Sequence, residues 1–255
     1  MKKLIACNVG SYGKYAERAW THLPQIGINH VEVRVPTTDQ DKKDLRKRLD
    51  ESGLTVSSFL GSCDVKSDDL AALIEPQIAT CRQFGARILF VSATAGDTDR
   101  NLIWQRLRAA GDVAAQGGVK IAMETHPDLM ANGDVGRQTM ESVKHPNVQV
   151  NFDTANIHYY NQGIDGAEEL KKVLEHVASV HLKDTTGKYR TWDFPALGTG
   201  IVDFAKIFSI LSERGFSGPY TMELEGTEGK TFSETERIAY VADSVAHLKS
   251  IGALG

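Results

Sequence analysis

Eight times along this chain a short apolar run gives way to a segment with helical spacing, and that alternation is the strongest constraint on its fold. Residues 4–9, 30–35, 54–60, 87–92, 119–124, 147–153, 178–182 and 219–224 read as buried strands. Residues 15–26, 41–51, 67–84, 101–116, 135–143, 167–176, 202–214 and 231–251 read as helices. Gly27, Gly53, Gly85, the Gly117-Gly118 pair and Gly215 stand where helices should stop. Ser67-Asp68-Asp69 offers a cap and an acidic first turn, and Ser233 with Glu236 has the spacing of a capping box. Strands that alternate with helices imply a parallel sheet. Eight such units on 255 residues fit an α/β architecture closed into a (β/α)8 TIM barrel, with residues 1–255 as a single domain.

Composition narrows the function classes. The chain is 41% hydrophobic and 24% charged, as expected of a soluble protein with a large core. A net charge of −4 gives no general attraction to nucleic acid or to an anionic membrane. Cys7, Cys63 and Cys81 are odd in number and scattered, which argues against a disulfide framework and for a reducing cytoplasm. The opening Met1-Lys2-Lys3-Leu4-Ile5-Ala6-Cys7 imitates a lipoprotein signal. Its apolar stretch falls short of the ~7–15 residues such a signal needs, so it reads as the first strand.

Function in a parallel barrel gathers at the C-terminal strand ends. Four of these ends turn chemical: Ile121-Ala122-Met123-Glu124, Val148-Gln149-Val150-Asn151-Phe152-Asp153, Ser179-Val180-His181-Leu182-Lys183-Asp184 and Tyr220-Thr221-Met222-Glu223. Side chains alternate along a strand, so His181 and Lys183 share one face while Val180 and Leu182 share the other. Neighbouring strands lie ~4.8 Å apart, close enough for inward side chains to meet on one ion. Three carboxylates with one imidazole suit a divalent cation, and the imidazole shifts the choice toward Mn2+, Co2+ or Zn2+. Each acid taken alone reads equally well as a helix cap or the partner of a lysine; four in order at successive strands carry the metal reading.

Those motifs, Met-Glu-Thr-His at Glu124, Phe-Asp-Thr-Ala-Asn at Asp153, Val-His-Leu-Lys-Asp at His181 and Met-Glu-Leu-Glu at Glu223, resemble the xylose isomerase-like TIM-barrel superfamily. The Leu197-Gly198-Thr199-Gly200-Ile201-Val202-Asp203-Phe204 run resembles its sugar isomerase and epimerase branch. The resemblance implies one bound divalent metal ion, Mn2+ foremost and Mg2+, Co2+ or Zn2+ otherwise, held by Glu124, Asp153, His181 and Glu223. It implies proton transfer beside a sugar carbonyl through a metal-stabilised enediolate, with Glu124 and Glu223 as the catalytic pair on opposite substrate faces. A small-molecule sugar or polyol substrate and a homodimer or homotetramer follow from the same kinship. Asn156 falls where the ketose 3-epimerase branch has a substrate-binding histidine, a departure that weighs against ketose 3-epimerisation; His158 replaces it only if the loop bends back.

Further candidates for substrate contact are His126, Lys183, Glu225 and Trp192. His126 serves either substrate or a loop hydrogen bond before Pro127. Lys183 holds a substrate hydroxyl or phosphate, or pairs with a carboxylate. Glu225 touches substrate or lies solvated in a loop. Trp192, in a long loop spanning 183–199, is placed to cover a sugar ring. Glu32 and Arg34 share a strand face and read as a buried pair or a contact at the mouth.

The leading expectation is a metal-dependent isomerase or epimerase of a sugar or keto-polyol. A dehydratase on the same site, expelling a β-hydroxyl from a keto-polyol or dehydroshikimate-type substrate, is the alternative. A phosphodiesterase like the apurinic-site endonucleases would need more histidines and a basic DNA face. A barrel that binds a polyol without turnover completes the set.

Overall fold

The structure is a computed structural model that describes residues 3–254. Its parallel strands β1 (Leu4–Asn8), β2 (His30–Arg34), β3 (Thr55–Leu60), β4 (Ile88–Val91), β5 (Lys120–Glu124), β6 (Val148–Asp153), β7 (Val177–Leu182) and β9 (Pro219–Met222) form a closed barrel, with β1 pairing to both β2 and β9. Helices α1 (Ala19–Gln25), α2 (Asp39–Ser52), α3 (Leu70–Phe84), α4 (Arg100–Gln116), α5 (Gly133–Val143), α6 (Asn156–Tyr160), α7 (Gly166–Val173), α8 (Phe204–Glu213) and α9 (Glu234–Ser250) link the strands or follow them. The expected TIM barrel is therefore the observed one. Strand β4, Ile88-Leu89-Phe90-Val91, is buried at every residue, as a strand covered on both faces must be. Leu89 and Val91 join the large core, whereas Ile88 and Phe90 join Ala122 and Ala178 in a separate cluster backed by Leu60. That second cluster lies beneath the polar strand ends: the Phe90 ring lies 4.3 Å from the ring of His181.

Some local expectations need correction. The first predicted helix, 15–26, is a 3-10 stretch at Val9–Arg18 that passes into α1. Gly13 at φ 57° and Tyr15 break the helical path there, so periodicity alone overstated its regularity. Asp68 and Asp69 precede α3 instead of forming its first turn; Ser67 Oγ accepts from the Asp69 N–H and closes a turn. The predicted helix 135–143 begins two residues earlier, because Asn132 accepts from the Val135 N–H. The Ser233–Glu236 capping box is present, and Gly53 and Gly85 take the left-handed conformation after α2 and α3. Two elements had no periodic signal: the short α6, and an antiparallel ribbon of β8 (Asp193–Phe194) with β10 (Gly226–Thr227). The ribbon joins the long loop after β7 to the segment after β9.

That long loop is pinned by one buried carboxylate. Asp184 Oδ1 accepts from the Thr185 and Val202 N–H groups, and Oδ2 from those of Gly198 and Gly200. A Cβ on Gly200 would sit 2.3 Å from Asp184 Oδ1, so only glycine allows this approach. The Gly-Thr-Gly run thus has a structural cause. Asp184→Asn turns one acceptor oxygen into a donor that faces N–H groups. It is expected to cost about 3 kcal/mol in urea unfolding; a loss under about 1 kcal/mol would remove Asp184 from this role.

Candidate metal centre

Strand register brings the four predicted ligands together. In the ladder Asp153 lies opposite His181, and His181 opposite Thr221, two residues before Glu223. Glu124 ends β5 beside Asn151. One donor atom from each of Glu124, Asp153, His181 and Glu223 lies within 4.8 Å of the other three. Glu124, Asp153 and His181 are buried, and Glu223 is mostly so.

Local structure decides which atoms remain available. Asp153 Oδ1 accepts from the Ala155 and Asn156 N–H groups at 2.8 Å each. Its other oxygen, Oδ2, is buried with no hydrogen bond, as are Glu223 Oε2 and both ring nitrogens of His181. His181 Nδ1 faces Glu223 Oε2 at 3.2 Å and Asp153 Oδ2 at 3.9 Å. Buried polar atoms are almost always hydrogen-bonded, so several orphans converging on one point fit a cation. Three carboxylate donors with one imidazole are the donor set a divalent ion such as Mn2+, Mg2+, Co2+ or Zn2+ takes.

Lys183 is the protein's own cation in this cluster. Its Nζ lies 2.6 Å from Glu223 Oε2, 3.1 Å from Asp153 Oδ2 and 2.8 Å from Glu225 Oε2. Burial works against that ammonium, but the Asp153, Glu223 and Glu225 carboxylates overcome it and hold its pKa well above normal. His181 is likewise raised well above normal: burial pulls it down, and Glu223 and Glu32 more than reverse the effect. The two glutamates diverge. Burial and then Glu223 push Glu124 up to about 8. For Glu223, burial is outweighed by Lys183 and His181, which hold it below the usual carboxylate range. Glu124 instead rests on neutral donors, Ser92 Oγ and Asn156 Nδ2.

The remaining candidates separate by position. Asn156 bridges the site, donating to Glu124 Oε1 at 3.2 Å and accepting from Lys183 Nζ at 3.4 Å. Glu225 pairs with Lys183, so it is no solvated bystander. His126 makes the loop contact, Nδ1 to the Pro127 carbonyl at 2.8 Å, with its ring 5.0 Å from Tyr160. Trp192 is 41% exposed and meets Phe194, whose ring lies 5.1 Å from Lys183 Nζ. His158 does not bend back: its ring lies against Gly166, beside Ile164 and Asp165, on the side facing α7. Glu32 and Arg34 are not a pair either. Arg34 is exposed, while Glu32 is buried against His181. Sequence reading missed Ser92 and Tyr160, and it allowed for a buried Glu32 but missed His181 as its partner.

Residues 21–251 match the family model described as xylose isomerase-like TIM barrel. An L-ribulose-5-phosphate 3-epimerase of Salmonella heidelberg is 26% identical over 234 residues, covering 80% of each chain. A xylose isomerase-like TIM barrel protein from Mycobacterium smegmatis, solved in complex with magnesium, superposes with TM-score 0.77 at 20% identity over 100% of both chains. The D-psicose 3-epimerase from Clostridium cellulolyticum H10, solved with D-tagatose, gives 0.76 at 14% identity, covering 98% of this chain and 99% of that one. The chain belongs to the xylose isomerase-like TIM barrel family.

Proposed function

We propose that this protein is a divalent-metal-dependent epimerase or isomerase that moves a proton on the carbon beside a ketose carbonyl. The observation that carries the reading is the convergence of Asp153 Oδ2, His181 Nδ1 and Glu223 Oε2, all buried and none in an aligned hydrogen bond, with Glu124 beside them and Lys183 as ion-pair partner of the two carboxylate oxygens. Kinship with sugar epimerases supports an isomerase-class enzyme on a small sugar. Glu124, Asp153, His181 and Glu223 would hold the ion, with Mn2+ the foremost choice. A divalent cation there supplies Lewis-acid polarisation of the carbonyl oxygen, which acidifies the adjacent C–H.

The chain's residues then divide the proton transfer. Glu223, kept ionised by Lys183 and His181, is the base. Glu124, braced by Ser92 and Asn156, exchanges the proton on the opposite face. Lys183 and Asn156 position substrate oxygens, and Glu225 keeps Lys183 in place. Trp192 and Tyr160, with the ring of His126, line the approach and cover the sugar's apolar face. The three free cysteines support a reducing cytoplasm as its setting.

The test is solvent exchange. The protein, with Mn2+ and a panel of ketoses, ketose phosphates and keto-polyols in D2O, is expected to place deuterium beside the carbonyl and invert that centre at constant carbon skeleton. A product lighter by one water makes the site a dehydratase; no exchange with any substrate leaves a binding barrel.

A pH prediction follows from Glu124. Its folded pKa, about 8, lies above its unfolded value, so its contribution to the metal-free fold is present at low pH and lost as pH rises through 8. Below that pH an incoming ion must displace the Glu124 proton, and the raised pKa of His181 adds a second proton to displace, so Mn2+ affinity is expected to rise throughout this range by about tenfold or more per pH unit. Calorimetric titration between about pH 6 and 9 checks this; a flat profile excludes proton displacement from Glu124.

A further inference from the structure

His181 has two ring nitrogens, and only one faces the cluster. Nδ1 looks toward Glu223 and Asp153, while Nε2 looks the other way, to Glu32 Oε1 at 3.1 Å. Glu32 comes from β2, three staves round the barrel from β7. Both side chains are sealed from solvent, at 0% and 1% exposure. Among the described residues the only ion-pair contact of Glu32 is His181. Its other partners are neutral and come from the strands on either side. Asn8 Nδ2 donates to Oε1 at 2.9 Å, and Ser58 Oγ donates to Oε2 at 2.6 Å. Asn8 is itself fixed, because its Oδ1 accepts from the Gly10 N–H at 2.7 Å. Three adjacent strands therefore brace one buried carboxylate against the rear nitrogen of a candidate ligand.

We propose that Glu32 is a positioning residue for the metal centre: it keeps the His181 proton on Nε2, leaves Nδ1 as the donor, and so sets the affinity for the divalent ion. This rests on the metal-dependent reading above. A neutral imidazole carries one proton, and whichever nitrogen keeps it cannot bind metal. A carboxylate at Nε2 selects the tautomer that presents a lone pair at Nδ1 and increases its donor strength. The Phe90 ring, tilted 55° against the imidazole, limits its swing. Neither nitrogen has an aligned hydrogen bond within the protein, so the ring has two directions to satisfy: the ion in front and Glu32 behind.

Mn2+ titration by calorimetry of the wild type, Glu32→Gln and Ser58→Ala tests the proposal. Glu32→Gln is expected to weaken Mn2+ binding by about 10–100-fold, and Ser58→Ala by a smaller factor. Histidine 15N spectra of the Zn2+-loaded wild type should show His181 protonated at Nε2, with that signal shifted or averaged in Glu32→Gln. A Glu32→Gln protein with a lower melting temperature but a Kd within twofold of wild type overturns the proposal, since Glu32 is then a fold element only. If Glu32→Gln does not fold, Ser58→Ala carries the same reading, and an unchanged Kd there overturns it. A wild type that takes up neither Mn2+ nor Zn2+ overturns the metal-dependent reading itself and this proposal with it.

Discussion

Glu223→Gln is expected to lower kcat/KM by about 10³–10⁴-fold, the upper end of what a positioned proton-transfer group contributes. The substitution keeps the side chain's volume, so packing at β9 is preserved. It removes the charge that Lys183 and His181 hold ionised. Lys183 retains Asp153 at 3.1 Å and Glu225 at 2.8 Å, so its buried ammonium is not stranded and the fold should survive. Glu124→Gln is expected to lose inversion to a similar degree, with a different residue of activity. If each glutamate serves one substrate face, removing Glu124 stops protonation on its side but leaves Glu223 able to exchange the proton it faces. Glu124→Gln should therefore still wash deuterium into one epimer while failing to invert it, and Glu223→Gln should show the mirror pattern. The readouts are the NMR exchange rate in D2O and the epimer ratio. Inversion persisting within tenfold of wild type in either variant would rule out the two-sided division of labour.

What could be read from the chain follows from physical range. The strands were legible because each is short and carries an apolar run or alternation between helical segments, most completely in β4, as a covered parallel sheet favours. The ligand set was legible because its members sit within one residue of strand ends, where an inward polar residue breaks the apolar run. Glu32 breaks such a run as well, but it sits mid-strand, and its partner lies across the barrel on β7; no local rule links the two. Asn156 was noticed as a departure from the family's pattern, yet its bridging of Glu124 and Lys183 depends on the five-residue α6, too short for periodicity to register. His158 fell to the wrong side for the same reason. Once α6 forms, residues two apart cannot face the same way, and Asn156 has already taken the inward direction. Asp184 stood in the sequence only as the last residue of the run from Ser179. Its grip on the Gly198, Gly200 and Val202 N–H groups is a contact between residues many positions apart.

Stripping the ion is the second large effect. Asp153, Glu223 and Glu124 converge in a buried space where like charges repel strongly. In the metal-free chain Lys183 offsets part of that repulsion from Nζ distances of 2.6 and 3.1 Å. The proton on Glu124, whose pKa stands near 8, offsets more. A divalent ion displaces that proton and brings two positive charges in its stead, and binding the native state alone stabilises it by about 4 kcal/mol at a thousandfold excess over Kd. For a chain of this size that corresponds to roughly 8–16 °C in melting temperature, so EDTA should lower Tm by that amount and Mn2+ should restore it. Lys183→Met separates the two cations. The metal-free variant has three converging acids and only His181 between them, so its Tm should fall well below that of the metal-free wild type. The Mn2+-loaded variant should lose less, and the gap between the two states should widen. A gap that stays the same would mean that Lys183 does not share the electrostatic work of the ion. A wild-type Tm indifferent to EDTA and to Mn2+ would mean that the four converging donors hold no metal.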